Sequence, residues 1–146
     1  MKAMKHIILL LLAMIATTTI SAKQLKTQHM YVVGFSASFT DSLIYITDVQ
    51  DVQGAWYDTK GKFLMGCDNY SYQLKEYLAE KTGQKNRICM VFFATNKKKA
   101  EKKYQKIKKK YADKAPGMYD VKFLSTSDFK FEVIDFTPEE ETFSEQ

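Results

Sequence analysis

Lysine is the residue type whose spacing first suggests chemistry in this chain. Between Lys97 and Lys114 there are ten lysines and only two acids, Glu101 and Asp113. Ala100, Tyr104, Ile107 and Tyr111 recur within that run at helical spacing, so it reads as a helix with one narrow apolar stripe. Lys98, Lys102, Lys103, Lys106, Lys109 and Lys110 then cover its solvent side. Such a surface suits an anionic lipid headgroup, another envelope polyanion or an acidic protein partner. It equally suits a solvated face that keeps the domain soluble. The apolar stripe is too narrow for a helix that inserts into a membrane interface.

The other reactive groups are sparse. Histidine occurs twice, as His6 and His29, and cysteine twice, as Cys67 and Cys89. A cysteine nucleophile needs a base held beside it, and His29 is the sole mature candidate, just ahead of the first predicted strand. A zinc site needs about four nitrogen or sulfur ligands, or three and a water. The sequence therefore predicts no metal and no cofactor. Two cysteines in an oxidising compartment permit one disulfide, Cys67 to Cys89. The other reading is two separate thiols, with Cys89 a small apolar residue of a strand. Asp41, Asp48, Asp51, Asp58 and Asp68 each fall at a turn or loop, where a carboxylate commonly caps backbone N–H groups. No phosphate-cradling glycine loop or nucleophile elbow is present. An enzyme using carboxylates or Ser/Lys groups that the sequence does not single out stands as an alternative.

Trp56, the one tryptophan, and Tyr57 lie in a long connection with Asp58 and Asn69 near. Aromatic and polar groups mixed in this way suit a glycan or peptide contact. A lid on the core is the competing reading.

The elements that must position these groups follow an N-terminal leader. Lys2 and Lys5 precede the apolar run Ile7–Ala16, and Ser21-Ala22 supply small residues at the exit. These are the parts of a secretory signal peptide, predicted over residues 1–22. The run is about half the roughly 20 residues that a membrane span needs. The expected location is periplasmic or secreted, with no stable span after cleavage and no nucleic-acid partner. Loss of the two leader lysines lowers the formal charge from +5 to +3.

Residues 23–29 read as a flexible lead-in, 30–135 as a single domain and 136–146 as an acidic disordered tail. Alternation predicts a strand from Met30 to Phe39 and another over Leu43–Thr47, joined as a hairpin. A short strand is predicted at Lys62–Met65. A helix is predicted from Asp68-Asn69 to Gly83, then a strand over Arg87–Ala94, apolar on both faces as a central strand would be. Thr95-Asn96 caps the lysine helix. Tyr119–Phe123 and Phe129–Val133 alternate as strands. The strand–helix–strand order makes the strands flanking the lysine helix parallel. The fold class is α+β, a two-layer sandwich with a mixed four- to six-stranded sheet and two helices on one face.

Met90-Val91-Phe92-Phe93-Ala94-Thr95-Asn96-Lys97-Lys98-Lys99-Ala100-Glu101-Lys102, then Tyr104-Gln105-Lys106-Ile107 and Tyr119-Asp120-Val121, resembles one half of a SPOR domain. In that family a strand ends in a small polar turn, leads into a helix with an Ala-Glu pair, and returns to a strand. The resemblance covers about a quarter of the chain and implies a periplasmic module that binds peptidoglycan lacking stem peptides. The chain is also similar to small exported proteins of Bacteroidota-like bacteria. The sequence as a whole predicts an exported, non-catalytic binding domain.

Overall fold

The computed structural model describes residues 23–114 and 116–138. The predicted leader, and the acidic tail from residue 139 onward, lie outside the described residues. The described residues form eight strands: β1 (Gln24–Lys26), β2 (Tyr31–Ala37), β3 (Leu43–Thr47), β4 (Gln50–Asp51), β5 (Trp56–Asp58), β6 (Phe63–Leu64), β7 (Ile88–Ala94) and β8 (Asp120–Leu124). Among the described residues two α-helices accompany them, α1 (Cys67–Lys81) and α2 (Lys97–Lys108). The α+β class and the mixed sheet are as the sequence predicts.

β2 is the axis of the larger sheet. β7 pairs with it antiparallel along its whole length, from Tyr31 opposite Ala94 to Ala37 opposite Ile88. β3 and β4 share the other side of β2, and β8 pairs with β3 in parallel. The strands flanking α2, β7 and β8, therefore run in the same direction but lie at the two outer positions. β7 is an outer strand, not the central one its apolar sequence suggested.

The opposition of β2 to β3 and β4 slips by one residue between Ile46 and Gln50, a β-bulge. Thr47 stabilises it. Its buried hydroxyl accepts the Gly34 N–H at 2.7 Å and donates to the Asp48 carbonyl at 2.9 Å. A side chain thus supplies the partner that the interrupted ladder withholds from a buried N–H.

Side-chain alternation divides the core between the two faces of this sheet. Val32 and Tyr45 pack with Tyr70, Leu74 and Leu78 of α1. Val33, Phe35, Ile44 and Ile46 pack with Ile107 of α2. The helices are accordingly shared between the faces, not gathered on one. Runs that are apolar at successive positions, such as Val32-Val33 and Ile44-Tyr45-Ile46, call for cover on both sides.

α1 begins at Gly66, whose φ of 75° is left-handed, and not at the Asp68–Asn69 pair. Asp68 instead sits in the first turn, where the helix dipole favours a carboxylate. Gly83, φ 72°, follows its end as the sequence predicts. Asn96 caps α2 by accepting the Lys99 N–H at 3.2 Å. The helix continues as a π-turn over Lys109–Asp113, which brings Tyr111 to 5.0 Å from Phe35 and 5.1 Å from Tyr119 between ring centres.

Two segments depart from the sequence reading. Residues 24–26, placed in a flexible lead-in, form β1 and pair with β5; β5 in turn pairs with β6 in a small three-stranded sheet. The predicted strand at Phe129–Val133 is an irregular strap along α1. Its backbone bonds go to side chains. The Gln50 amide donates to the Phe129 carbonyl and accepts the Phe131 N–H, each at 2.8 Å. Gln73 does the same for Glu132, each bond 2.9 Å. Tyr70 Oη accepts the Ile134 N–H at 3.0 Å. Each glutamine amide reproduces the donor–acceptor pair of a neighbouring strand, which is why alternation appears in the sequence without a strand.

Two substitutions test this packing. A Cβ on Gly34 would lie 2.9 Å from Leu74 and 3.0 Å from both Phe131 and Thr47. Gly34→Ala is expected to lower unfolding free energy by roughly 1–3 kcal/mol through overpacking. Gln50→Ala, which orphans a buried carbonyl and N–H of the strap, is expected to cost roughly 2–4 kcal/mol. Urea denaturation of both variants measures this, and wild-type midpoints would contradict the packing described.

Candidate functional site

α2 faces the sheet with Ala100 and Ile107, both buried, and with Tyr104, half-buried. At 100° per residue Lys98, Lys102, Lys106 and Lys109 lie opposite this stripe, and Lys99, Lys110 and Lys103 continue the same arc round to its flank. All seven are exposed. Among the described residues none of them forms an ion pair; the two pairs present are His29–Asp51 and Arg87–Asp41. Two of the seven make other contacts. Lys103 Nζ donates to the Phe93 carbonyl at 2.8 Å and lies 5.5 Å from the Phe93 ring centre. Lys110 Nζ lies 5.3 Å from the Tyr111 ring centre. The structure thus brings Lys98, Lys102, Lys103, Lys106, Lys109 and Lys110 together on one surface. Neighbouring cations raise the local potential and favour an anionic ligand that bridges several of them.

Trp56 and Tyr57 do not join this surface. They form β5, where Tyr57 packs on the α1-side core. Trp56 Nε1 donates to Asp135 of the strap at 3.2 Å. Thr137, through its hydroxyl and its backbone N–H, holds the Asp135 carboxyl below its ordinary range, and the Trp56 bond adds to this. The indole thereby fastens the end of the strap to the small sheet.

The cysteines are not bridged; Cys67 and Cys89 are free thiols. Of the two readings that the sequence permits, a bridge and two separate thiols, the structure has the second. Cys67 opens α1 and Cys89 lies on β7 facing it, so both line one groove but without a bond between them. Burial raises the Cys67 thiol above its ordinary range, and the Asp68 charge raises it further. Burial also raises Cys89, partly offset by a hydrogen bond from Ser36 and by the charges of Lys75 and Arg87. Neither environment makes a nucleophile, since the thiolate is the reactive form. His29 bonds to Asp51 through Nδ1 at 2.7 Å and stacks on Tyr31.

The remaining loop carboxylates do turn chemistry. Asp58 accepts the N–H groups of Lys60 and Gly61, and Asp48 accepts that of Thr126. Among the described residues no group of three or more His, Cys, Asp or Glu side chains is placed to hold a metal ion. Among the same residues no helix is long and apolar enough to cross a membrane.

One buried charge escaped the sequence reading. Arg87, immediately before β7, is 3% exposed. Its guanidinium bonds to both carboxylate oxygens of Asp41 at 3.1 and 3.2 Å, to Ser36 Oγ at 3.1 Å, and to the Leu43 carbonyl. It also lies 5.5 Å from the Tyr45 ring centre. The signal available was its position, a lone arginine at the head of an apolar run.

No family model, curated protein or solved structure matches the chain.

The thiols give a direct check. With raised pKa values, both are expected to alkylate more slowly than free cysteine at pH 8, and to speed up as pH climbs past 9. Intact mass is expected to be the same with and without reductant. A mass two hydrogens lower before reduction would restore the bridge.

Proposed function

We propose that the protein is an exported, non-catalytic binding domain that holds an anionic envelope component on the lysine face of α2. The observation that carries this reading is the set of seven exposed lysines on one helical side, with no carboxylate of the described residues in ion-pair range. A solvated helix meant only for solubility gains from mixed charge, because i, i+4 pairs of opposite sign support it. α2 forgoes that support almost throughout. The apolar stripe beneath is consumed by the sheet, so the face offers charge and hydrogen bonds and not insertion. The mature net charge of +3 is modest, which places the attraction in this surface and not in the whole molecule.

A second reading is favoured by the run that resembles half of a SPOR domain. It falls on one continuous strand–helix–strand unit, β7–α2–β8. A ligand of that kind would be peptidoglycan stripped of its stem peptides.

The test is sedimentation with vesicles containing anionic lipid. A lysine close to such a surface contributes about 1 kcal/mol. Changing Lys98, Lys102, Lys106 and Lys109 to Gln is therefore expected to weaken partitioning on the order of a hundredfold or more. Binding is expected to fall as salt rises. Equal partitioning of the variant would remove the lysine face from the account. Retention on denuded peptidoglycan that survives the same four changes would favour the second reading.

A further inference from the structure

The outer edge of β7 offers a second place to bind. All seven residues of β7 pair with β2 on one side. Among the described residues no strand pairs with the other side. An unpaired edge presents N–H and C=O groups ready to accept another strand, and natural edges are commonly blunted by proline, charge or a bulge. The sequence Ile88–Ala94 holds no proline and no charge, and its register with β2 is unbroken. The cation that reaches it, Lys103, takes the Phe93 carbonyl and so closes only the far end.

Beside this edge a groove of about 590 Å³ runs between β7 and α1. Tyr72 and Lys75 of α1 and Ile88 and Met90 of β7 are among its lining. At Ile88 it meets a second hollow that reaches Phe39 in the turn between β2 and β3. Phe39 is 95% exposed, Tyr72 59%, and Ile88 and Met90 43% each. Tyr72 stands on the α1 side of the edge, while Ile88 and Met90, opposite Ala37 and Phe35, turn to the α2 side, so apolar groups flank the open strand on both faces, the kind of exposed surface that marks an interaction site.

Charge selects the occupant. Lys75 stands on the groove wall, Lys85 lines the hollow at its near end, and Lys103 with Lys97–Lys99 lie at the far end. Arg87 is already engaged with Asp41, and Asp68 is the acid in the lining. A second copy pairing antiparallel through the same edge would set Lys85 of one chain against Lys97–Lys99 of the other, a repulsive arrangement. We propose that the groove between α1 and the outer edge of β7 binds an extended segment of a partner protein, apolar at alternate positions and acidic at its ends, as an added strand. Main-chain bonds to β7 supply affinity in this mode, and the flanking apolar groups supply selectivity. Apart from Lys98, Lys99 and Lys103, the residues are distinct from those of the polyanion reading, and the proposal does not rest on it.

The experiment is fluorescence anisotropy of the purified protein with a labelled peptide of alternating valine and threonine, carrying paired aspartates at both ends. Saturable binding is expected. The same peptide N-methylated at alternate backbone nitrogens is expected to bind at least about tenfold more weakly, since it loses several ladder bonds. The double variant Ile88→Lys, Met90→Lys is expected to lose binding by a similar factor with its melting curve unchanged. The variant with Lys102, Lys106 and Lys109 changed to Gln is expected to bind as wild type does, which separates this site from the polyanion surface. Equal affinity for the N-methylated peptide, or wild-type affinity in the double variant, would overturn strand addition. Equal affinity for a lysine-ended peptide would overturn the charge selection. Absence of peptide binding with concentration-dependent dimerisation would assign the edge to a second copy instead.

Discussion

The buried guanidinium of Arg87 is the constraint on which the arrangement of the larger sheet depends. β7 is separated in sequence from the β2–β3 hairpin by the small sheet and by α1. Its neighbour must nevertheless be β2, in one register. Arg87 enforces this by reaching Ser36 on β2, the Leu43 carbonyl at the start of β3, and Asp41 in the turn between them. A buried charge tolerates only the geometry that satisfies it, because leaving it unpaired is costly. A slip of β7 by one residue would withdraw the guanidinium from all three partners and turn Cys89 and Val91 to the other face. Asp41 is 42% exposed at its side chain, so the ion pair is partly screened. The specificity comes from the full set of bonds and not from the Coulomb attraction alone.

With β7 fixed, the two proposed surfaces acquire their places. α2 follows directly from the end of β7 and crosses the sheet on one face, which turns its lysines outward. α1 covers the other face and leaves a groove against the outer strand. The strap then closes the far side of α1 through Gln50, Gln73 and Tyr70. The chain spends its buried polar groups on placing segments and leaves cations and a strand edge at the surface. The thiols sit where the neutral form is stabilised, and His29 is bonded to Asp51 at the surface.

Much of the architecture is legible in the residues, and what is not has identifiable causes. The hairpin, both helices, the Asn96 cap and the Gly83 terminus follow from local patterns whose partners lie within a few residues. The outer position of β7 does not. An apolar run reads as central whether its second neighbour is a strand or nothing, since periodicity reports the faces of a strand and not its edges. The strap at Phe129–Val133 alternates as a strand does because Phe129 and Phe131 are buried. Its actual partners are glutamine amides nearly eighty positions away in the case of Gln50, and no local pattern encodes them. The lysine face was visible as composition, and the structure adds that its members share one side. The groove was not visible, because it arises where α1 meets an edge formed by residues distant in sequence. The cysteines show the same limit: an even count permits a bridge, while the fold sets them on opposite walls of the groove.

The central claim is that β7 is pinned on one side and open on the other. Residue-resolved amide hydrogen exchange along Ile88–Ala94 in the free protein tests it most directly. The account predicts alternation, with amides bonded to β2 exchanging slowly and those facing outward exchanging quickly. Uniform slow exchange along the whole strand would contradict it, because every amide of β7 would then already have a partner.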